Sequence, residues 1–111
     1  MERVHAAAVR FDLHVPESRS LKTKRAAIRP IIDGLRHRHH VSVAEVDHHD
    51  QWQRTAIAVA VVSGSDGHLR EVLANIERLV AHAPGVELLD IETTWLDTED
   101  AVPGSLVGWD D

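Results

Sequence analysis

Val41-Ser-Val-Ala-Glu-Val-Asp-His-His-Asp-Gln-Trp-Gln-Arg54, running on into Thr55-Ala-Ile-Ala-Val-Ala-Val-Val62, is the stretch that decides the fold. Two runs rich in valine and isoleucine flank a short polar connection, which is the composition of two strands joined by a turn. Val41 to His48 is the first of these strands. Arg54 to Ser63 is the second, and its apolar character on both faces suits a central position in a sheet.

Upstream, Val4 to Val15 alternates, with Val9, Phe11, Leu13 and Val15 on one face and Arg10, Asp12 and His14 on the other. That is the period of a strand. Pro16 ends it, and Glu17-Ser-Arg-Ser20 supplies capping side chains for a helix starting near Leu21. Leu21, Ile28, Ile31, Ile32 and Leu35 share one stripe of that helix and predict its buried face. Pro30 removes a hydrogen bond to the carbonyl of Ala26, so a kink or break is expected there, and Gly34 weakens the second half.

Downstream, Ser63-Gly-Ser-Asp-Gly67 is a turn leading to an N-cap at Ser65 or Asp66. From His68 to His82, Leu69, Val72, Leu73, Ile76, Leu79 and Val80 form an apolar stripe, and Pro84-Gly85 stops the helix. Val86 to about Leu96 is a fourth strand. The order β-α-β-β-α-β is the ferredoxin-like α+β arrangement, a four-stranded antiparallel sheet with two helices on one face. Residues 1–97 are expected to form this single domain, and residues 98–111 an acidic C-terminal tail marked by Pro103, Gly104 and Gly108.

The 111 residues suffice for one two-layer core, and their 43% apolar and 27% charged content is that of a globular protein. Without cysteine there is neither a disulfide framework nor a thiol nucleophile. No run is long enough to span a bilayer, and Met1-Glu-Arg-Val-His5 does not resemble a secretion signal, so a cytoplasmic location and no membrane partner are expected. The net charge of −6 hides an asymmetry: Ser18 to His40 holds seven of the twelve Lys and Arg residues and a single acid, Asp33. That segment is +6 and the remainder −12. Beyond His82 there are eight acids and no Lys or Arg.

Leu13-His-Val-Pro16, Ser20-Leu-Lys-Thr-Lys-Arg25, Val41 to His48, Trp52-Gln-Arg54 and Val59-Ala-Val-Val-Ser63 together resemble the YlxP-like family of small bacterial proteins, and Val86-Glu-Leu-Leu-Asp90 fits the same pattern. The resemblance spans roughly residues 3 to 97. It implies a ferredoxin-like fold and a bacterial cytoplasmic protein of a domain-of-unknown-function group. It supplies no catalytic residues to carry over. Family members often lie beside genes of transcription elongation and translation initiation, which points towards RNA or ribosome work.

Lys22, Lys24 and Arg25 occupy the first turns of the first helix, where Ser18, Ser20 and bare N–H groups could complete an anion cradle. Lys22, Arg25, Arg29 and Arg36 share one flank at helical spacing, along which a phosphate backbone could run. Lys22, Lys24, Arg25, Arg29 and Arg36 are therefore the candidate anion- or RNA-binding residues. The plainer alternative is a solvated face balanced by the protein's own acids.

Asp47-His48-His49-Asp50 has ligand-type side chains, but adjacent strand residues point to opposite faces. Capping the turn and bonding Trp52, Gln53 or backbone is the expected role, with no metal and no cofactor. On the sheet face away from the helices, Ala6, Ala8, Ala56, Ala58, Ala60 and Val62 form a patch of small apolar side chains and no aromatic platform for stacking bases. Ala8, Ala56, Ala58, Ala60 and Val62 are the candidate homodimer interface, unless the tail covers them with Trp95 or Trp109 as anchor. A phosphate-ester or acyl-phosphate hydrolase of this fold would need a glycine loop after the first strand, and His14-Val-Pro-Glu-Ser-Arg-Ser20 has none. Asp12 and His14 could form an acid–base pair, but a salt-bridging or exposed pair is the expected reading. The expectation is a non-enzymatic accessory protein that engages RNA or ribosomal particles through its basic helix. The alternative is a homo-oligomeric interaction module.

Overall fold

Alternation and helical stripes place the elements where the chain forms them. The computed structural model describes residues 4–96. In order these are β1 (His5–His14), α1 (Leu21–His39), β2 (Ser42–Asp47), β3 (Arg54–Ser63), α2 (Asp66–Ala81) and β4 (Glu87–Leu96). All strand pairs are antiparallel and the sheet order is β2-β3-β1-β4, so the ferredoxin-like α+β architecture is present. The segment expected to form the tail, with Trp109, lies outside the described residues.

Register fixes the core. Val9 lies opposite Val59, Phe11 opposite Ile57 and Leu13 opposite Thr55, and all six are buried. Ile28, Ile31 and Leu35 of α1 and Leu69, Leu73, Ile76 and Val80 of α2 close over them. Each such large aliphatic side chain contributes about 1.5–3 kcal/mol by leaving water.

Both helices start on serine caps. Ser20 accepts from the Thr23 amide while the Thr23 hydroxyl accepts from the Ser20 amide, a reciprocal box that satisfies donors the helix cannot. Ser65, one of the two expected N-caps, accepts from the His68 amide, so α2 begins at Asp66, three residues before the first residue of its apolar stripe.

Pro30 does not divide α1, which continues through it for 19 residues. Ala26 and Pro30 are both exposed, so water can take the place of the missing donor. Ile28 on one side of it and Ile31 and Leu35 on the other are buried in the same core, which holds the two halves in line. Gly34 faces α2: a Cβ there would lie 3.4 Å from Leu79 Cδ1.

A bulge between Glu45 and Asp47 sets up the site described next. Glu45 pairs with Ile57, on the helix side of the sheet, whereas Asp47 pairs with Ala56, on the open side. The extra residue, Val46, reverses the alternation, so two acids two residues apart point to opposite faces.

Candidate functional site

A lysine at the fourth helical position would ordinarily reach solvent, but Lys24 sits on the buried stripe of α1, three and four residues apart from its apolar neighbours. It is 1% exposed. Its ammonium donates to the carbonyls of His48 (2.8 Å), His49 (3.2 Å) and Arg54 (3.3 Å) and lies 3.1 Å from a Glu45 carboxylate oxygen. Three N–H groups thus serve four acceptors, leaving none for a ligand. Burial pushes the Glu45 carboxyl up, and the Thr55 hydroxyl, donating at 2.5 Å, together with Lys24 more than reverses this, so its pKa is lowered. Lys24 therefore leaves the candidate anion-binding set. It is a pin that holds the β2–β3 connection onto the helix.

That connection is further tied down. His48 takes a left-handed backbone (φ 61°), and its amide donates to Asp47 Oδ1. The Gln51 amide donates to the His48 carbonyl. The Gln53 side chain donates to the carbonyls of Pro16 and Ser18, fastening the loop to the turn that begins α1. The expected bonding of this turn to backbone is present at Asp47 and His49, but the glutamine it meets is Gln51, on His48, rather than Gln53, and none of these residues bonds to Trp52, which is 55% exposed.

The helix head offers less to an anion than its serines suggested. The Ser18 hydroxyl donates to the Ser20 carbonyl, and the amides of Arg19, Ser20 and Thr23 all donate to capping oxygens. The hydroxyls of Ser18 and Ser20, expected to complete the cradle, are engaged within the cap itself.

The flank of α1 fares differently. Lys22, Arg25, Arg29 and Arg36 are exposed, and no carboxylate among the described residues lies within 4.0 Å of any of them. Arg25, Arg29 and Arg36 line a shallow groove of about 280 Å³ between α1 and the edge strand β2, floored by Ile28 and Ile32. Asp33 and Glu45 also border it. Arg36 donates to the Val43 carbonyl (3.0 Å), so it partly serves the edge of the sheet.

The open sheet face divides into two ends. One end carries a charge network: Arg10 bonds both Asp12 and Asp47, while His48 lies 3.7 Å and Arg54 4.0 Å from Asp12. The Arg10 hydrogen bond is the main cause of a lowered Asp12 pKa. The His48 amide and then Arg10 lower that of Asp47, and these two acids raise that of Arg10. His14 pairs with Glu87 (3.3 Å) and not with Asp12, so neither an acid–base couple nor an ion pair joins Asp12 and His14. The other end is apolar, with a shallow depression of about 230 Å³ lined by Ala8, Ser42, Ala44, Ala58 and Ala60, and with Val62 at 70% exposure beside it. Ala56 does not belong there. Its partners in the sheet are Asp12 and Asp47, and it is fully buried at the charged end. Trp95 is not an anchor for this face either, because it stands opposite Ala7 on the helix side, with the Arg70 guanidinium 4.8 Å from its ring centre.

The family model described as "Protein of unknown function (DUF503)" matches residues 6–93. The chain belongs to this family. It is 32% identical over 76 residues to the uncharacterized protein YlxP of Bacillus subtilis (strain 168), covering 68% of this chain and 83% of that one. Among solved structures, the fold is similar to a de novo designed protein, Foldit4 (TM-score 0.51, 14% identity, 83% of this chain and 97% of that). It is also similar to part of Bacillus subtilis YXEP, a dinuclear metal binding peptidase from the M20 family (TM-score 0.53, 14% identity, 84% of this chain, 26% of that). At such identities the likeness concerns the fold alone. No helix among the described residues is long and apolar enough to cross a membrane.

Proposed function

We propose that the protein is a non-enzymatic accessory factor that binds RNA, free or in ribosomal particles, through the outer flank of α1. The single observation that supports this most is the row Lys22, Arg25, Arg29 and Arg36, exposed and without carboxylate partners among the described residues of a chain whose net charge is −6. A rigid helix holds these cations at intervals of about 1.5 Å per residue, some 21 Å from first to last. That spans several successive phosphates, and each contact releases condensed counterions. The acidic remainder of the surface repels polyanions, so attachment is confined to this flank.

The direct test is binding of ribosomal RNA, or of purified ribosomal particles, at low salt. Lys22, Arg25 and Arg29 are replaced together by alanine, and Arg36 is left in place because it also holds β2. Affinity should fall at least tenfold with the melting temperature unchanged, since each phosphate contact carries its share of the counterion release. Equal affinity of the two proteins would refute the reading.

The apolar depression at Ala8, Ala44, Ala58 and Ala60, with Val62 beside it, favours a second reading, in which two copies associate through their open sheet faces. Ala58→Arg should then convert a dimer to a folded monomer in light scattering. A wild-type protein that is monomeric at micromolar concentration would remove this reading.

A further inference from the structure

Trp52 is 55% exposed, on a loop held at several points. Lys24 pins the loop from below, Gln53 ties it to the turn before α1, and the Gln51 amide closes it on His48. A large aromatic left in water on a loop this firmly held keeps a fixed position at little conformational cost when something lands on it. Trp95, 46% exposed, has the Arg70 guanidinium 4.8 Å from its ring centre, whereas no cation stacks on Trp52 among the described residues.

The loop also adjoins α1. It joins the end of β2, the edge strand that forms one wall of the arginine groove, and its carbonyls are bonded by a side chain from α1 itself. Asp47 at the end of β2 and Asp50 on the loop disfavour a phosphate directly above it, whereas Arg25, Arg29 and Arg36 favour one along the groove. Charge therefore sorts the two halves of a nucleotide: backbone to the helix, base to the loop.

We propose that Trp52 is a stacking platform for an unpaired base, so that this surface takes single-stranded RNA or an unpaired loop in preference to a continuous duplex. This rests on the reading of α1 as an RNA-binding flank and narrows it to a substrate class. A base within a duplex is stacked on both sides and cannot use the indole face, whereas an unpaired base can. The open face of the sheet, where related strand orders carry stacking aromatics, bears alanines here. The stacking group is displaced to the loop between β2 and β3.

The test uses the full chain with two probes, a mixed-sequence 12-nucleotide RNA and a blunt duplex of the same sequence, at one low salt concentration. Trp52→Ala should weaken single-strand binding by about tenfold and leave duplex binding and the salt dependence unchanged. Trp52→Phe, which keeps a ring, should restore most of the loss. Indole fluorescence should be quenched by the single strand in the wild type, and this quenching should be largely absent in Trp52→Phe. If Trp52→Ala binds the single strand as the wild type does, or loses single-strand and duplex affinity equally, the stacking proposal is overturned while the basic flank stands. If neither probe binds the wild type, both readings fall together.

Discussion

Lys24 shows how a single side chain can change the reading of a surface. Its charge suggests a ligand site, while its place among Leu21, Ile28, Ile31 and Leu35, at spacings of three and four, suggests the core. The spacing wins because four acceptors are arranged to receive the ammonium, and an ammonium so matched tolerates burial. Lys24→Met should cost about 3 kcal/mol, because three carbonyls and a carboxylate lose their shared partner. Adding Glu45→Leu should recover part of that loss, since the uncompensated carboxylate goes too. Denaturant unfolding checks both, and a Lys24→Met protein as stable as wild type would return this residue to the exposed flank. The signal was present in the sequence as a gap in the apolar stripe that only a residue at position 24 or 25 could fill. Trp52 was legible as part of the Trp52-Gln-Arg54 motif and as a bonding partner for the turn, not as an exposed ring. Its exposure depends on a loop conformation that the sequence does not state.

Among the elements, strand and helix existence and order followed from periodicity, because Val9, Phe11 and Leu13 alternate and Leu69, Leu73, Ile76 and Val80 recur at helical spacing. Two features escaped. The effect of Pro30 depends on which side of the helix carries it, and here that side is exposed. The bulge at Val46 is a matter of register between β2 and β3, and only that register shows Glu45 and Asp47 on opposite faces. Gly34 within α1 offers a clean test of helix packing. A methyl group would meet Leu79 at ordinary contact distance, so Gly34→Ala should stabilise by up to about 1 kcal/mol through helix propensity. Thermal unfolding should show a gain of a few degrees, and a fall would mean that α1 and α2 pack more closely there than 3.4 Å implies.

Across the whole molecule, charge is segregated. One helix flank is cationic, while Glu87, Asp90 and Glu92 lie on β4 and Asp12 and Asp47 at one end of the open sheet face. Asp12, Asp47 and Glu45 all have carboxyl pKa values lowered by folding. Between the ordinary carboxylate value and the lower folded one, the unfolded chain binds more protons. The stability these groups provide is therefore complete above that ordinary value and is lost as pH falls through the folded one. Melting temperature should hold from pH 7 to about 5 and decline from roughly pH 4.5 downward, with a shallower decline in Asp12→Asn. A profile that is flat or rises on acidification would contradict the ion-pair network.

The claim that the cationic flank of α1 meets a polyanion is tested most directly by the salt dependence of RNA binding. A plot of log affinity against log salt for the wild type should have a slope of about −3, for four phosphate contacts at 0.7–0.9 counterions each, and about −1 once Lys22, Arg25 and Arg29 are alanine. Equal slopes for the two proteins, or no binding by the wild type at low salt, would contradict it.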